Sequence, residues 1–386
     1  MTRSPSCLSK LSGNCSAQSS RHGGEPEYDR GVAFRGVAYI FRRDGRADAS
    51  FTRAVAIRLD RLRRRDRWRY SVRRRLPAVD RIPLDRPIFV LGLQGGGTTL
   101  ISRCLLRHPT VVSMSGNSDY WTATDELGFV RNRMTSLPPS LWSSSHRTDI
   151  AHPLFGAEHD SVYASDELLP FYRRTADDAT TEDAERFKRV LREHIAVYAR
   201  DPQRARFVDK THTYTVKIPY LDALLEGCSP HYVLVLRNPY TMCFRAVRRK
   251  PPSWQPPPSY ERQIELAAEH WQNSCRLGLE DGQRTGRFVA VRFEDFVRDP
   301  EPTVRAICRA VELDYLPEQV PSAEHRFPFA TLPTDTKWYP LRADEWRGQV
   351  GETETAIIEE RCGSLAASIG YTREGERSPE LASVVA

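Results

Sequence analysis

Two short stretches of this chain carry residue types and spacings suited to holding an anion. The first is Gly92-Leu93-Gln94-Gly95-Gly96-Gly97-Thr98-Thr99. Three successive glycines free the backbone to aim N–H groups at one point and let a ligand approach closely. The two threonines open the following helix, where first-turn N–H groups favour negative charge, and their hydroxyls can donate as well. The stretch is close to a Walker loop but departs from it, because Thr98 stands where the phosphate-binding lysine belongs. The second stretch is Arg237-Asn238-Pro239, which follows the apolar run Val233–Leu236. It sets an arginine where a parallel sheet presents its carboxyl edge, the edge at which such sheets bind ligands.

Both stretches need a sheet to position them. Ile88 to Gly92 is apolar on both faces, as buried parallel strands are. A helix is expected from Thr98 to about Arg107, then a strand from Thr110 to Met114. Helix Thr181 to about Ala199 and strand Arg206–Asp209 come later. Helix Lys217–Glu226, strand His231–Leu236 and helix Pro239–Arg249 follow in regular alternation. A helix from Tyr260 to about Leu279, strand Phe288–Arg292, helix Glu301–Val311 and helix Glu352 to about Ile369 complete the series. Alternating strands and helices predict an α/β domain with a mainly parallel sheet flanked by helices. The stretch from Gly116 to Asp178 reads as an irregular substrate-side insertion with short helices.

Composition sets the outer limits. The chain has 386 residues, of which 40% are hydrophobic and 28% charged, ordinary values for a globular protein. No apolar run reaches the roughly eighteen residues of a membrane span. Residues 1–30 read as a disordered polar tail without a secretory signal, 31–84 as a basic helical extension, 85–373 as the main domain and 374–386 as a second tail. The eight cysteines are scattered without a Cys-x-x-Cys pair, which argues against a zinc site or disulfide framework and fits a reducing cytoplasm. The net charge of +7 suits an anionic ligand. Its densest part, Arg53 to Arg75, reads as a weakly amphipathic basic helix, either a solvated face or a contact for an anionic surface.

The ordered motifs resemble those of sulfotransferases that use 3′-phosphoadenosine 5′-phosphosulfate (PAPS). Gly92 to Thr99 is similar to the family's phosphosulfate turn, and Arg237-Asn238-Pro239 to its Arg-Asp/Asn-Pro element. Lys210-Thr211-His212 is similar to the Lys-Thr-His segment of cytosolic members. Residues 291–300 resemble an Arg-Tyr-Glu-Asp-Leu-type stretch, Lys337-Trp338 a late basic-aromatic loop, and Ile369-Gly370-Tyr371 a Leu-Gly-Tyr terminus. The likeness runs from about Pro87 to Tyr371. It implies a P-loop-like sulfotransferase fold, PAPS as sulfuryl donor, no metal, and a small-molecule or glycan acceptor: a hydroxyl, or less favourably an amine, of a carbohydrate, lipid or secondary metabolite.

The resemblance also assigns residues. Gln94, Gly95, Gly96, Gly97, Thr98 and Thr99 would line the donor turn, with Lys337 and Trp338 as further donor contacts. Arg237 would grip the 3′-phosphate, with Arg245 where relatives carry a phosphate-binding serine; an arginine can bind that group through a bidentate fork. Arg245 falls on the same helical face of the following helix. His212 is the expected base, since histidine titrates near neutral pH; its plain alternative is a helix cap. Lys210 projects to the same strand edge and would supply the cation that Gly95, in place of the family's basic turn residue, does not. Its plain alternative is a surface ion pair, for instance with Asp209. Asp119, Asp125 and Glu126 are the other base candidates. Competing readings are a relative that binds the nucleotide without catalysis, favoured by Gly95, and a P-loop kinase or nucleotide hydrolase with Asp209 as its magnesium acid.

Overall fold

The structure, a computed structural model, describes residues 79–113, 126–129, 137–142, 162–249, 258–321, 350–372 and 375–376. All of them belong to one compact unit, Ile57–Ala386. The expected tail 1–30, the Arg53–Arg75 segment and the end of the chain beyond 376 lie outside the described residues, as do Asp119, Asp125, Lys337 and Trp338.

Five parallel strands form the sheet: β1 (Ile88–Gly92), β2 (Val111–Val112), β3 (Arg206–Asp209), β4 (His231–Leu236) and β5 (Phe288–Arg292), in spatial order β2-β3-β1-β4-β5. β1 is central, with Phe89 beside Asp209 on one flank and Tyr232 on the other. The period-2 alternation of its side chains divides them between two cores. Phe89 and Leu91, with Tyr232, Leu234 and Leu236 of β4, join one cluster. Ile88 and Val90, with Val233 and Val235, join the other. Every residue of β1 and β4 is buried, which is why the sequence shows unbroken apolar runs.

Helices cover both faces. On the second core lie α1 (Thr98–Leu106) and two helices that follow β5, described below. On the first lie α3 (Thr181–Tyr198), α4 (Ile218–Leu224), α5 (Pro239–Arg249), α6 (Tyr260–Thr285) and α9 (Glu352–Ser368); the short α2 (Leu169–Tyr172) precedes them in the chain. Local caps start three of these helices. Thr180 Oγ1 accepts from Asp183 N–H at 3.1 Å, Ser259 Oγ from Arg262 N–H at 3.2 Å, and Asn238 Oδ1 from the N–H groups of Tyr240 and Thr241 at 2.9 and 3.2 Å. In Arg237-Asn238-Pro239, then, asparagine caps α5 and proline fills its first position, where no donor is needed.

Three expectations need correction. The strand expected at Thr110–Met114 contracts to Val111–Val112. The helix expected to end near Leu279 continues to Thr285 and stops at Gly286, with φ 65°. Within the extension a Cβ on Gly282 would lie 2.2 Å from the Phe288 ring, so this glycine serves close packing within the helix. The single helix expected after β5 is two: α7 (Phe293–Arg298) and α8 (Pro300–Ala310), divided at Asp299. A small antiparallel pair, β6 (Tyr371–Thr372) with β7 (Gly375–Glu376), closes the described chain.

Candidate active site

The carboxyl ends of β1, β3, β4 and β5 assemble the site. At β1, Gly92 has φ 141°, and a Cβ there would meet the Val235 carbonyl oxygen at 2.7 Å. Its N–H donates to Thr215 Oγ1 at 2.8 Å, which ties the turn to the segment following β3. Gly95 and Gly97 also hold left-handed backbone, φ 83° and 105°. The two differ in surroundings. A Cβ on Gly97 would overlap the Phe293 ring at 2.2 Å, whereas one on Gly95 would meet nothing within 4 Å. Gly96 N–H is spent inside the turn on the Leu93 carbonyl at 2.8 Å. The start of α1 also offers donors to an anion, with Thr98 and Thr99 in the first turn and no acidic residue competing.

Arg237, 4% exposed, backs this turn. Its guanidinium donates to the Gly95 carbonyl at 2.8 Å and lies 4.7 Å from the centre of the Phe293 ring. A shell fixes the arginine: Trp271 Nε1–H donates to its carbonyl at 2.8 Å, and Asn238 N–H donates to Glu294 Oε1 at 3.0 Å. The other oxygen of Glu294 accepts from the Tyr371 hydroxyl at 2.7 Å. Burial pushes the Glu294 carboxyl upward, opposed by Arg237 and by these hydrogen bonds. Arg245 lies half-buried on α5.

At β3, the two residues expected to act on the acceptor share one carboxylate. Lys210 Nζ donates to Glu126 Oε1 at 2.8 Å, and His212 Nδ1 lies 3.1 Å from Glu126 Oε2. Lys210 and His212 are 3% and 2% exposed. Neither plain alternative describes them: Lys210 is buried against Glu126 rather than paired at the surface with Asp209, and His212 opens the short 3-10 turn His212–Val216 with its ring held by that carboxylate. Burial alone would raise the Glu126 carboxyl, but Lys210 and His212 outweigh it and bring it down to about 2. A carboxylate so acidic is a poor proton acceptor near neutral pH. Asp209 shows the opposite balance. Burial lifts it to about 6, although Leu127 N–H and Thr211 N–H, each at 2.9 Å, hold its two oxygens. The same two bonds orient both oxygens toward main chain, which disfavours the kinase reading of Asp209 as a magnesium acid.

The motifs at 292–295 and 369–371 resemble family segments, yet sequence offers no role for them. Arg292 binds Asp295 Oδ2 at 2.6 Å and the Gly370 carbonyl at 3.4 Å, while Phe293 and Glu294 build the wall behind Gly97 and Asn238. Trp271 and Tyr163 give no sequence signal; the Tyr163 hydroxyl donates to the His212 carbonyl at 2.8 Å.

A model of the Sulfotransferase family matches residues 87–317, more than half of the chain and all of the site-bearing sheet. The chain belongs to the sulfotransferase family. This is a family of PAPS-dependent transferases, and PAPS is the donor substrate of this sulfotransferase. Among solved structures, sulfotransferase STF9 from Mycobacterium avium is similar at 16% identity, with 80% of this chain and 83% of that one covered and a TM-score of 0.44. The sulfotransferase domain of the Synechococcus PCC 7002 olefin synthase matches at 18% identity over 72% of this chain and 95% of its own, TM-score 0.38. Mouse SULT7A1, solved with PAP (adenosine 3′,5′-bisphosphate), matches at 12% identity over 75% and 89%, TM-score 0.38. No curated protein matches. Among the described residues no helix is long and apolar enough to cross a membrane, and no cluster of His, Cys, Asp or Glu is suited to a metal ion.

The residues present fit an anionic donor. The start of α1 offers uncommitted N–H groups and two hydroxyls, the glycine turn leaves open space beside Gly95, and a buried arginine stands behind it.

Proposed function

We propose that this sulfotransferase moves a sulfuryl group to a hydroxyl, less favourably an amine, of a small molecule or glycan, with His212 as base. One observation carries the reading: His212 and Lys210 converge on Glu126 at the carboxyl end of β3, the strand beside the one that feeds the glycine turn. PAPS supplies the sulfuryl group. The turn 94–99 and the first N–H groups of α1 bind and orient its phosphosulfate. Arg237 braces the turn from behind and adds positive charge near the 3′-phosphate, with Arg245, Lys337 and Trp338 as further donor contacts. Glu126 accepts a hydrogen bond from the Nδ1–H of neutral His212, which holds the tautomer whose unprotonated Nε2 takes the proton of the acceptor hydroxyl. Lys210 keeps Glu126 ionised and brings the nearest cation of this half, in a site whose turn lacks one. Positioning and charge account for such a transfer without covalent catalysis. Among the described residues six cysteines are buried and free, which agrees with a reducing cytoplasm.

The test is incubation of the full chain with labelled PAPS and a panel of glycans, lipids and small alcohols or phenols, read by mass spectrometry. A sulfated product that disappears in His212→Ala, with PAP affinity kept, is expected. Tight PAP binding with no product from any acceptor would instead favour the non-catalytic relative. Magnesium-dependent turnover of a nucleoside triphosphate would favour the kinase reading.

A further inference from the structure

Four consecutive residues, Asp209 to His212, grip one short segment, 126–128, in alternation. The even-numbered pair takes the Glu126 carboxylate, Lys210 at 2.8 Å and His212 at 3.1 Å. The odd-numbered pair takes the main chain of the next two residues: Asp209 Oδ1 accepts Leu127 N–H at 2.9 Å, and Thr211 Oγ1 accepts Gly128 N–H at 3.2 Å. Asp209 Oδ2 also accepts Thr211 N–H at 2.9 Å, which fixes the spacing of the odd pair. Asp209 and Thr211 are 2% and 0% exposed, so each bond is made away from water. The alternation sits where β3 ends at Asp209 and the chain turns into the 3-10 turn that begins at His212.

We infer that Asp209 and Thr211 are positioning residues for the transfer, acting through Glu126 to fix the ring of His212. The inference rests on the reading of His212 as base. Burying an ionised carboxylate is costly, and a neutral side chain could accept a backbone N–H at less cost. Asp209 offers two full acceptors at once, one for the 126–128 segment and one for its own strand end. That double acceptance ties the carboxylate of Glu126 to β3, and so to Lys210 and His212. Without it, and without the Thr211 bond to Gly128 N–H, the segment holding Glu126 is attached to this strand end only by the side chains it is meant to orient.

The test uses the full chain as Asp209→Asn, Thr211→Val and Glu126→Gln, with 15N spectra of the histidines under conditions where His212 is neutral, assigned through His212→Gln. In the wild type the Nδ1–H form of His212 should dominate. Asn can accept only one of the two N–H groups, so Asp209→Asn should bring the two ring tautomers toward equal shares. Thr211→Val should shift them in the same direction by less, and PAP affinity by calorimetry should stay within about twofold in both. Unchanged tautomers in Asp209→Asn and Thr211→Val, with the expected shift in Glu126→Gln, would overturn the inference alone. No shift in Glu126→Gln would remove the His212–Glu126 pairing on which the base assignment depends. A parallel loss of PAP affinity would mean that the clamp is general scaffolding and would also overturn it. Should Asp209→Asn fail to fold, Thr211→Val decides, because it removes a single bond and keeps the side-chain volume.

Discussion

The two halves of the proposed site meet the same electrostatic problem with different materials. The donor half is main chain: three left-handed glycines, the first turn of α1, and an arginine that touches the turn through the Gly95 carbonyl. The acceptor half is side chain: a buried lysine, histidine and glutamate held within hydrogen-bonding distance. Main-chain donors have fixed direction and no titration, so the donor half should be sensitive to shape and indifferent to pH. Side-chain charges titrate and depend on their partners, so the acceptor half should tolerate modest changes of shape but respond to any change of charge.

Four measurements bear on this contrast, the largest effect first. Gly97→Val forces a branched side chain onto left-handed backbone and into the Phe293 ring. It should abolish measurable PAP binding and lower stability by roughly 3 kcal/mol or more. Near-normal binding would remove shape as the donor half's principle. His212→Ala should cut transfer by about 10²- to 10⁴-fold, with PAP affinity unchanged in calorimetry.

The third measurement is the acid limb of unfolding. Glu126 sits near 2 in the folded protein against an ordinary 4.5, so its stabilising contribution is present above 4.5 and is lost as pH falls toward 2. The loss should approach about 3 kcal/mol. Asp209, near 6 against 3.8, runs the other way: its contribution is present below 3.8 and is lost as pH rises through 6. Denaturant titrations from pH 2 to 7 should therefore show Glu126→Gln flattening the acid loss and Asp209→Asn flattening the opposing slope. If neither variant alters the profile, the acceptor half does not depend on charge as described.

The smallest effect is expected from Gly95→Lys. The open space beside Gly95 admits a side chain, but φ 83° costs a non-glycine residue about 1–2 kcal/mol. PAP affinity should change by no more than about threefold and become more dependent on salt. A gain of tenfold or more would show that the turn's main chain alone is insufficient.

Much of the fold was legible because buried parallel strands announce themselves. β1, β3, β4 and β5 each match their expected limits, since the long apolar runs of β1, β4 and β5 leave little choice of register and the short β3 falls in regular alternation with helices. The end of α6 past Leu279 was not legible, because Gly282 is accommodated there by its close approach to Phe288, a tertiary contact. In the site, His212, Lys210 and the glycine turn could be named from local pattern. Glu126 appeared only as one acid among three, because its pairing with Lys210 depends on how the chain between β2 and β3 folds back. Trp271, Glu294 and Tyr371 act through tertiary contacts alone, which no spacing encodes.

The hydroxyl of Tyr371 on Glu294 carries a consequence for biosynthesis. Glu294 receives the N–H of Asn238, and Arg292 reaches the carbonyl of Gly370, so the shell around Arg237 includes residues made long after it. A nascent polypeptide still tethered to the ribosome before residue 371 emerges has the glycine turn, Arg237 and Glu294 but not the Gly370 and Tyr371 groups that hold Arg292 and Glu294 in place. Nucleotide capture thus becomes a late event in the maturation of this enzyme, after the sheet itself can form.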